Sequence, residues 1–177
     1  TNTKLFCSCP TFPIQIVKEP WVKKYLEDKK VKFEFIEHEP VTKPIDSARV
    51  RGVELRQIAK ALLYIYDEKN PLLLILSGDK KVDEKKLKTI LDTSYVRMAN
   101  SDEVKEYTGC VVGLVPPTIE GIKKIVDKKL LENEILSFNA GAATAGIKIN
   151  KDQLLKVLDN YTLQDVSDKE ILKQTSS

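Results

Sequence analysis

The sequence has one histidine, three cysteines and no apolar run longer than six residues, and each shortage excludes something. A lone His38 cannot build a multi-histidine metal centre, and Cys7-x-Cys9 with a distant Cys110 lacks the paired spacing of structural zinc. An odd cysteine count closes no disulfide framework. The longest apolar run, Ala61–Tyr66, falls far short of the ~20 residues a membrane-spanning helix needs. Thr1–Phe6 does not show the basic start and long apolar stretch of a secretory leader, so a cytoplasmic location is expected and no membrane contact. Neither GxxxxGK[ST] nor GxGxxG occurs, which removes the usual phosphate-cradling loops. There is no Gly/Ser linker and no internal repeat.

What remains is a soluble, globular composition. The chain has 177 residues, 42% hydrophobic and 31% charged, enough for one domain whose core needs no metal or disulfide staple. Lys and Arg number 29 against 26 Asp and Glu, a net charge of +3. That balance does not suit a protein gripping long nucleic acid through a basic stripe, but it permits contact with a short piece. Lysine pairs such as Lys23-Lys24, Lys80-Lys81 and Lys128-Lys129 mostly sit beside acids and read as solvated surface.

The hydropathy pattern points to an α+β domain with a mixed, largely antiparallel sheet flanked by helices. Residues 1–30 read as an irregular segment, broken by Pro10, Pro13 and Pro20, followed by a short helix from Trp21. Residues 31–160 read as the main domain and 161–177 as a tail of helical character. Val31, Phe33 and Phe35 alternate as a strand, and Pro40 and Pro44 keep the next stretch extended or turning. Ala61–Tyr66 and Leu72–Leu76 flank a short loop as a hairpin of buried strands. Val82–Leu91 reads as a helix with Asp83 as its N-cap, and a second helix runs from Ser101 to just before Gly109. Short strands are expected near 95–98, 124–127, 135–139 and 146–149, with a helix from Asn150 or Lys151 to Leu158.

Two features carry chemistry. Lys60 stands at the lip of the Ala61–Tyr66 run, where, on residue chemistry alone, a snorkelling lysine is the simpler account. The stretch Thr108-Gly109-Cys110-Val111-Val112-Gly113-Leu114-Val115-Pro116-Pro117 combines two glycines with a double proline. It reads either as a rigid loop with backbone N–H groups facing a ligand or as a sheet edge with a tight turn. His38 reads as a histidine supporting a strand end, and nothing in the spacing pairs it with a cysteine.

Taken with their surroundings, these pieces resemble the YbaK/ProX aminoacyl-tRNA deacylases, relatives of the editing domain inserted in bacterial prolyl-tRNA synthetases. The matching segments occur in order: His38-Glu39-Pro40, Ser47–Gly52, Gln57–Leu62, Lys81-Val82-Asp83, Val96–Ala99, Thr108-Gly109, the GxxxP loop Gly113–Pro117, and Phe138–Gly141 with Gly146–Ile149. The resemblance spans about Val31 to Leu158. It implies a free-standing trans-editing enzyme that needs no cofactor or metal and hydrolyses the ester between a wrong amino acid and the terminal adenosine of a tRNA. The tRNA acceptor end is then the partner, with a synthetase or elongation factor as an auxiliary one. The family pattern assigns catalysis to Lys60, Gly113 and Pro117. It assigns substrate contacts to His38, Met98, Thr108, Gly109, Leu114, Val115, Pro116, Asn139, Gly141 and Gly146.

An aminoacyl ester is already activated, so positioning water and stabilising an oxyanion suffice without a strong general base. Cys110, Pro116 and Asn139 depart from the family's usual residues near the pocket, and a small cargo, alanine first, is the expectation. The rivals are a catalytically silent relative that recruits a synthetase or binds an amino-acid-like ligand, and a cysteine hydrolase built on Cys110.

Overall fold

The structure, a computed structural model, describes residues 20–168; Cys7 and Cys9, the segment before Pro20 and the end of the tail lie outside them. The chain runs α1 (Trp21–Asp28), β1 (Glu34–Glu37), α2 (Pro44–Arg51), β2 (Ala59–Tyr66), β3 (Asn70–Ser77) and α3 (Glu84–Leu91). It continues with β4 (Val96–Met98), α4 (Ser101–Thr108), β5 (Lys123–Asp127), β6 (Ile135–Asn139), β7 (Ala145–Asn150), α5 (Lys151–Val157) and β8 (Tyr161–Gln164). Single 3₁₀ turns at Leu55–Gln57 and Lys128–Glu132 complete it.

The strands form two sheets. One is antiparallel, in the order β1-β7-β6; the other runs β4-β2-β3-β5-β8. In the larger sheet β2 pairs antiparallel with β3 and β4, while β5 pairs parallel with β3 and β8. This is the expected α+β class with mostly antiparallel pairing. A parallel bridge between Ile58 and Ser137 joins the sheets.

Leu72–Leu76 of β3 are fully buried, as a central strand covered on both faces requires. Alternation along the hairpin sends Tyr64, Leu72, Leu74 and Leu76 toward Leu87 of α3. It sends Leu63 and Leu73 to the opposite face, against Val104 of α4 and Val115, Ile119 and Ile122 of the long loop after α4. The main core lies between the sheets, where Ile75 and Val126 meet Leu136, Phe138, Ile147 and Ile149, closed by Val22 and Leu26 of α1 and Leu154 of α5.

Local signals account for several boundaries. The Asp83 carboxylate accepts from the Lys85 and Lys86 amides at the start of α3. Asn100 and Glu103 close a reciprocal capping box on α4. The turn expected across Pro40–Pro44 ends in a helix instead: Pro44 sits in the first turn of α2 and Gly52, at φ 70°, caps its end. Proline there costs no hydrogen bond, and glycine tolerates the left-handed conformation.

The expected boundaries at 30 and 160 both fall inside the fold. Val22 and Leu26 belong to the core, and the Val22 amide donates to the Ala140 carbonyl at 3.2 Å. The tail begins as a strand, not a helix, because Tyr161–Gln164 pairs with Lys124–Asp127. Beyond it, the fully buried Asp127 carboxylate accepts the Val166 amide (3.0 Å) and the Ser167 hydroxyl (2.8 Å). Asp127→Ala strips both donors of their acceptor in a dry site. Each bond to a charged group contributes ~1.5–3 kcal/mol, so urea melts are expected to show a loss of about 3 kcal/mol.

Candidate active site

A gap in the larger sheet makes room for the site. β4 covers the edge of β2 only at Tyr64–Tyr66, and the Ala99 amide donates to the Leu63 carbonyl at 2.9 Å. Residues two apart on a strand present their backbone groups to the same edge, so those of Ala61 point to the uncovered stretch. A cavity of about 180 Å³ opens there. Its walls are the segment Val41–Pro44 with Ser47 and Arg51 of α2, Ile58–Leu62 at the start of β2, Val112, Gly113 and Val115 of the long loop, and Phe138 with Asn139 of β6. Lys60 and Gly113, distant in sequence, therefore border one cleft.

Gly113 has φ 91°, a conformation that favours glycine. A Cβ there would meet Thr42 Cβ only at 3.6 Å, so the backbone twist rather than crowding demands glycine. The Leu114 amide closes a turn onto the Val111 carbonyl at 2.9 Å. Val111 and Val112 are exposed at the mouth, whereas Val115, Pro116 and Pro117 are buried. The prolines thus brace the loop from below, and of the GxxxP stretch it is Gly113 and Val115 that line the cavity.

Lys60 shares its sheet face with Leu62 and Tyr64, and its Nζ donates to the Lys80 carbonyl at 2.6 Å. Two of its three N–H bonds have no protein acceptor among the described residues. Desolvation lowers the ammonium pKa, Asp79 opposes that shift and Lys81 adds to it.

Sequence reasoning named Arg51 only inside a motif, yet it is the most unusual group in the cleft. It is 5% exposed. Its Nε donates to His38 Nε2 at 3.2 Å and its Nη1 to Ser137 Oγ at 3.4 Å. Among the described residues no carboxylate pairs with it, and burial pushes its pKa down to about 10. The other ring nitrogen of His38 lies 2.8 Å from the Glu39 carbonyl. Both ring nitrogens of His38 are therefore engaged, Nε2 by Arg51 and Nδ1 by the Glu39 carbonyl.

The other expected contacts divide. Asn139 lines the cavity, its Oδ1 accepting the Gly141 amide at 2.7 Å. Gly146 touches the site through Arg51, whose guanidinium lies on its backbone; a Cβ would stand 2.5 Å from Arg51 Cζ. Gly141 does not face the cleft, because Trp21 occupies that space, with Nε1 2.5 Å from a would-be Cβ. Thr108 and Gly109 end α4: the Thr108 hydroxyl donates to the Val104 carbonyl at 2.6 Å and accepts the Cys110 amide at 3.0 Å, and Gly109 takes φ 75°. Met98 is exposed at the end of β4, outside the cavity walls. Among the described residues no cluster of three or more His, Cys, Asp or Glu could hold a metal ion, and no helix is long and apolar enough to cross a membrane.

A small cleft at an interrupted sheet edge, bordered by Lys60, Arg51, Ser47 and a glycine turn, defines the class of protein as an enzyme with a small pocket. The comparisons give that class its family. The model of the aminoacyl-tRNA editing domain matches residues 38–157, and the chain belongs to that family, whose chemistry is deacylation. It is 32% identical over 133 residues to the multifunctional Ser/Thr-tRNA deacylase ProXp-y of Escherichia coli (strain K12), covering 72% of this chain and 76% of that one. It is also 34% identical over 107 residues to the proline–tRNA ligase of Aquifex aeolicus (strain VF5), covering 58% of this chain. The chain spans only 19% of that ligase's length. The fold matches the crystal structure of hypothetical protein APE2540 with a TM-score of 0.76 at 24% identity, over 85% of this chain and 100% of that one. It matches a candidate trans-editing enzyme for prolyl tRNA synthetase with a TM-score of 0.73 at 23% identity, over 85% and 99%.

Proposed function

We propose that the protein is a free-standing trans-editing enzyme, working in the cytoplasm, that hydrolyses the ester of tRNAs mischarged with a small amino acid, alanine foremost. The observation that carries this reading is the single cavity of about 180 Å³ bordered by both Lys60 and Gly113. An alanyl group fits such a volume, about six times the ~30 Å³ share of one liquid water. Lys60 serves the 3′ end of the tRNA, and the backbone of the Gly113–Pro117 loop holds the aminoacyl group and the attacking water. Water adds to the ester carbonyl, the tetrahedral intermediate collapses, and the ribose oxygen leaves with a proton. A vicinal ribose hydroxyl assists the transfer. Holding water and ester together supplies the acceleration, since the ester is activated to begin with.

One missing methylene gives only ~1–3 kcal/mol of discrimination, so serine and cysteine esters are expected to be cleaved more slowly but measurably. The test is a panel of mischarged tRNAs, with release of the amino acid followed over time. Alanine released fastest, unaffected by chelators and thiol reagents, is the expected result. Efficient cleavage of a bulky aminoacyl ester with alanyl-tRNA untouched would defeat the assignment of cargo. Silence on every tRNA would leave the binding module, which recruits a synthetase without chemistry.

A further inference from the structure

Buried charges in proteins are paired, or they await a partner. Arg51 is 5% exposed, and among the described residues no carboxylate lies in ion-pair contact with it. Two of its five N–H bonds are used, one by the His38 ring and one by the Ser137 hydroxyl. Among the described residues Nη2 has no acceptor, yet it is not one of the sealed unpartnered atoms, which are Asp79 Oδ1 and Thr118 Oγ1. Arg51 is a wall of the cavity. The fold invests in keeping the guanidinium there. Gly146 leaves room for it against the backbone of β7, and His38, held by the Glu39 carbonyl, aligns Nε.

We propose that Arg51 is a catalytic residue: its free N–H bonds receive the ester carbonyl oxygen as negative charge develops on it during deacylation. The inference rests on the deacylase reading above. It adds a charged oxyanion donor to a mechanism otherwise built on loop backbone and Lys60. When water adds to the carbonyl carbon, the electron pair of the C=O bond moves onto oxygen, where the guanidinium stabilises it. When the intermediate collapses the pair returns, the bond to the ribose oxygen breaks, and the proton from water ends on that oxygen. Depth favours the ester over the other anionic oxygen of the substrate, the terminal phosphate. Arg51 and its neighbours Ser47, Ile58 and Phe138 are buried, whereas Thr42, Val112 and Gly113 are exposed.

The experiment is single-turnover hydrolysis by wild type, Arg51→Met and Arg51→Lys at a series of enzyme concentrations, with thermal melts. Removing one oxyanion donor typically costs about 10²–10³-fold in rate. Arg51→Met is expected to lose that much in the chemical step, with half-saturation moved less than about threefold and a melting temperature equal to or above wild type. Arg51→Lys, which keeps the charge but not the planar fork, is expected to recover part of the rate. For insurance against misfolding, Arg51→Ala is assayed with added methylguanidinium, which should restore activity by entering the vacated space.

An Arg51→Met enzyme that hydrolyses at the wild-type rate overturns the proposal. A loss confined to half-saturation overturns it as well, assigning Arg51 to the phosphate. A parallel fall in melting temperature and rate, with no rescue of Arg51→Ala, returns Arg51 to a structural role. If the wild type is itself inert on every mischarged tRNA, the deacylase reading fails instead, an outcome separate from any of these.

Discussion

Lys60→Ala is expected to lose about 10²–10³-fold in deacylation while melting within a few degrees of wild type. Among the described residues the ammonium makes one hydrogen bond, to the Lys80 carbonyl, and has N–H bonds to spare. Breaking that bond costs stability, but removing a cation that burial already disfavours offsets the loss. In the transition state no such offset exists, and every ~1.4 kcal/mol lost there is tenfold in rate. Lys60→Arg keeps the charge with a different reach and a planar donor set, so partial rescue is expected.

The pH dependence gives a second, independent sign. Desolvation holds the Lys60 pKa below its ordinary 10.5, more strongly than Asp79 raises it. Activity that needs the cation therefore declines, as pH rises, before an ordinary lysine would titrate. Stability moves the other way over the same window, because the unfolded chain binds this proton more tightly than the folded one. Rate after subtraction of spontaneous hydrolysis, and urea melts across alkaline pH, should show the two opposite slopes in wild type and shallower ones in Lys60→Met, the remainder coming from Arg51, whose pKa burial also lowers. An Ala variant that hydrolyses at the wild-type rate would return Lys60 to a snorkelling side chain.

The elements legible in the sequence were those whose signal is local. Asp83 before a periodic apolar stretch announced α3, and Leu72–Leu76, apolar throughout, announced the central strand. α2 was not visible because its apolar residues trace no clear stripe; Pro44 and Gly52 at its two ends were the available signals. β8 was not visible either, since Tyr161–Gln164 becomes a strand by pairing with β5 rather than by its own alternation. The cleft shows the same division. The ordered motifs brought Lys60 and Gly113 together, but they could not separate Arg49 from Arg51. Two arginines two positions apart on one helix point to different sides, and here one is exposed and the other buried. Nor could they tell which glycine serves the site, because that depends on which large side chain lies across it.

Gly141 and Gly146 make that last distinction measurable, since alanine at each is expected to damage a different property. At Gly141 the added Cβ meets the Trp21 indole at 2.5 Å and must adopt φ 91°. The left-handed conformation costs roughly 1–2 kcal/mol for a residue with a Cβ, and overpacking a further ~1–3 kcal/mol. At about 2–4 °C per kcal/mol for a chain of this size, Gly141→Ala should melt on the order of 10 °C lower. Its single-turnover rate, measured well below the transition, should stay near wild type, because Trp21 fastens α1 to the core and does not line the cleft.

Gly146→Ala acts on the site instead. Its Cβ would overlap the Arg51 side chain, whereas the φ of Gly146, in β7, does not itself require glycine. The guanidinium borders the cavity, so displacing it disturbs the wall on which the aminoacyl group is proposed to sit. A rate loss of the order of that of Arg51→Met is expected, about 10²-fold or more, with a smaller thermal penalty than at Gly141. Adding Arg51→Ala to Gly146→Ala removes the clash and should recover the melting temperature but not the rate. If Gly146→Ala were as active as wild type, a Cβ would be tolerated beneath the guanidinium, and the arrangement of Arg51 would not matter to the reaction.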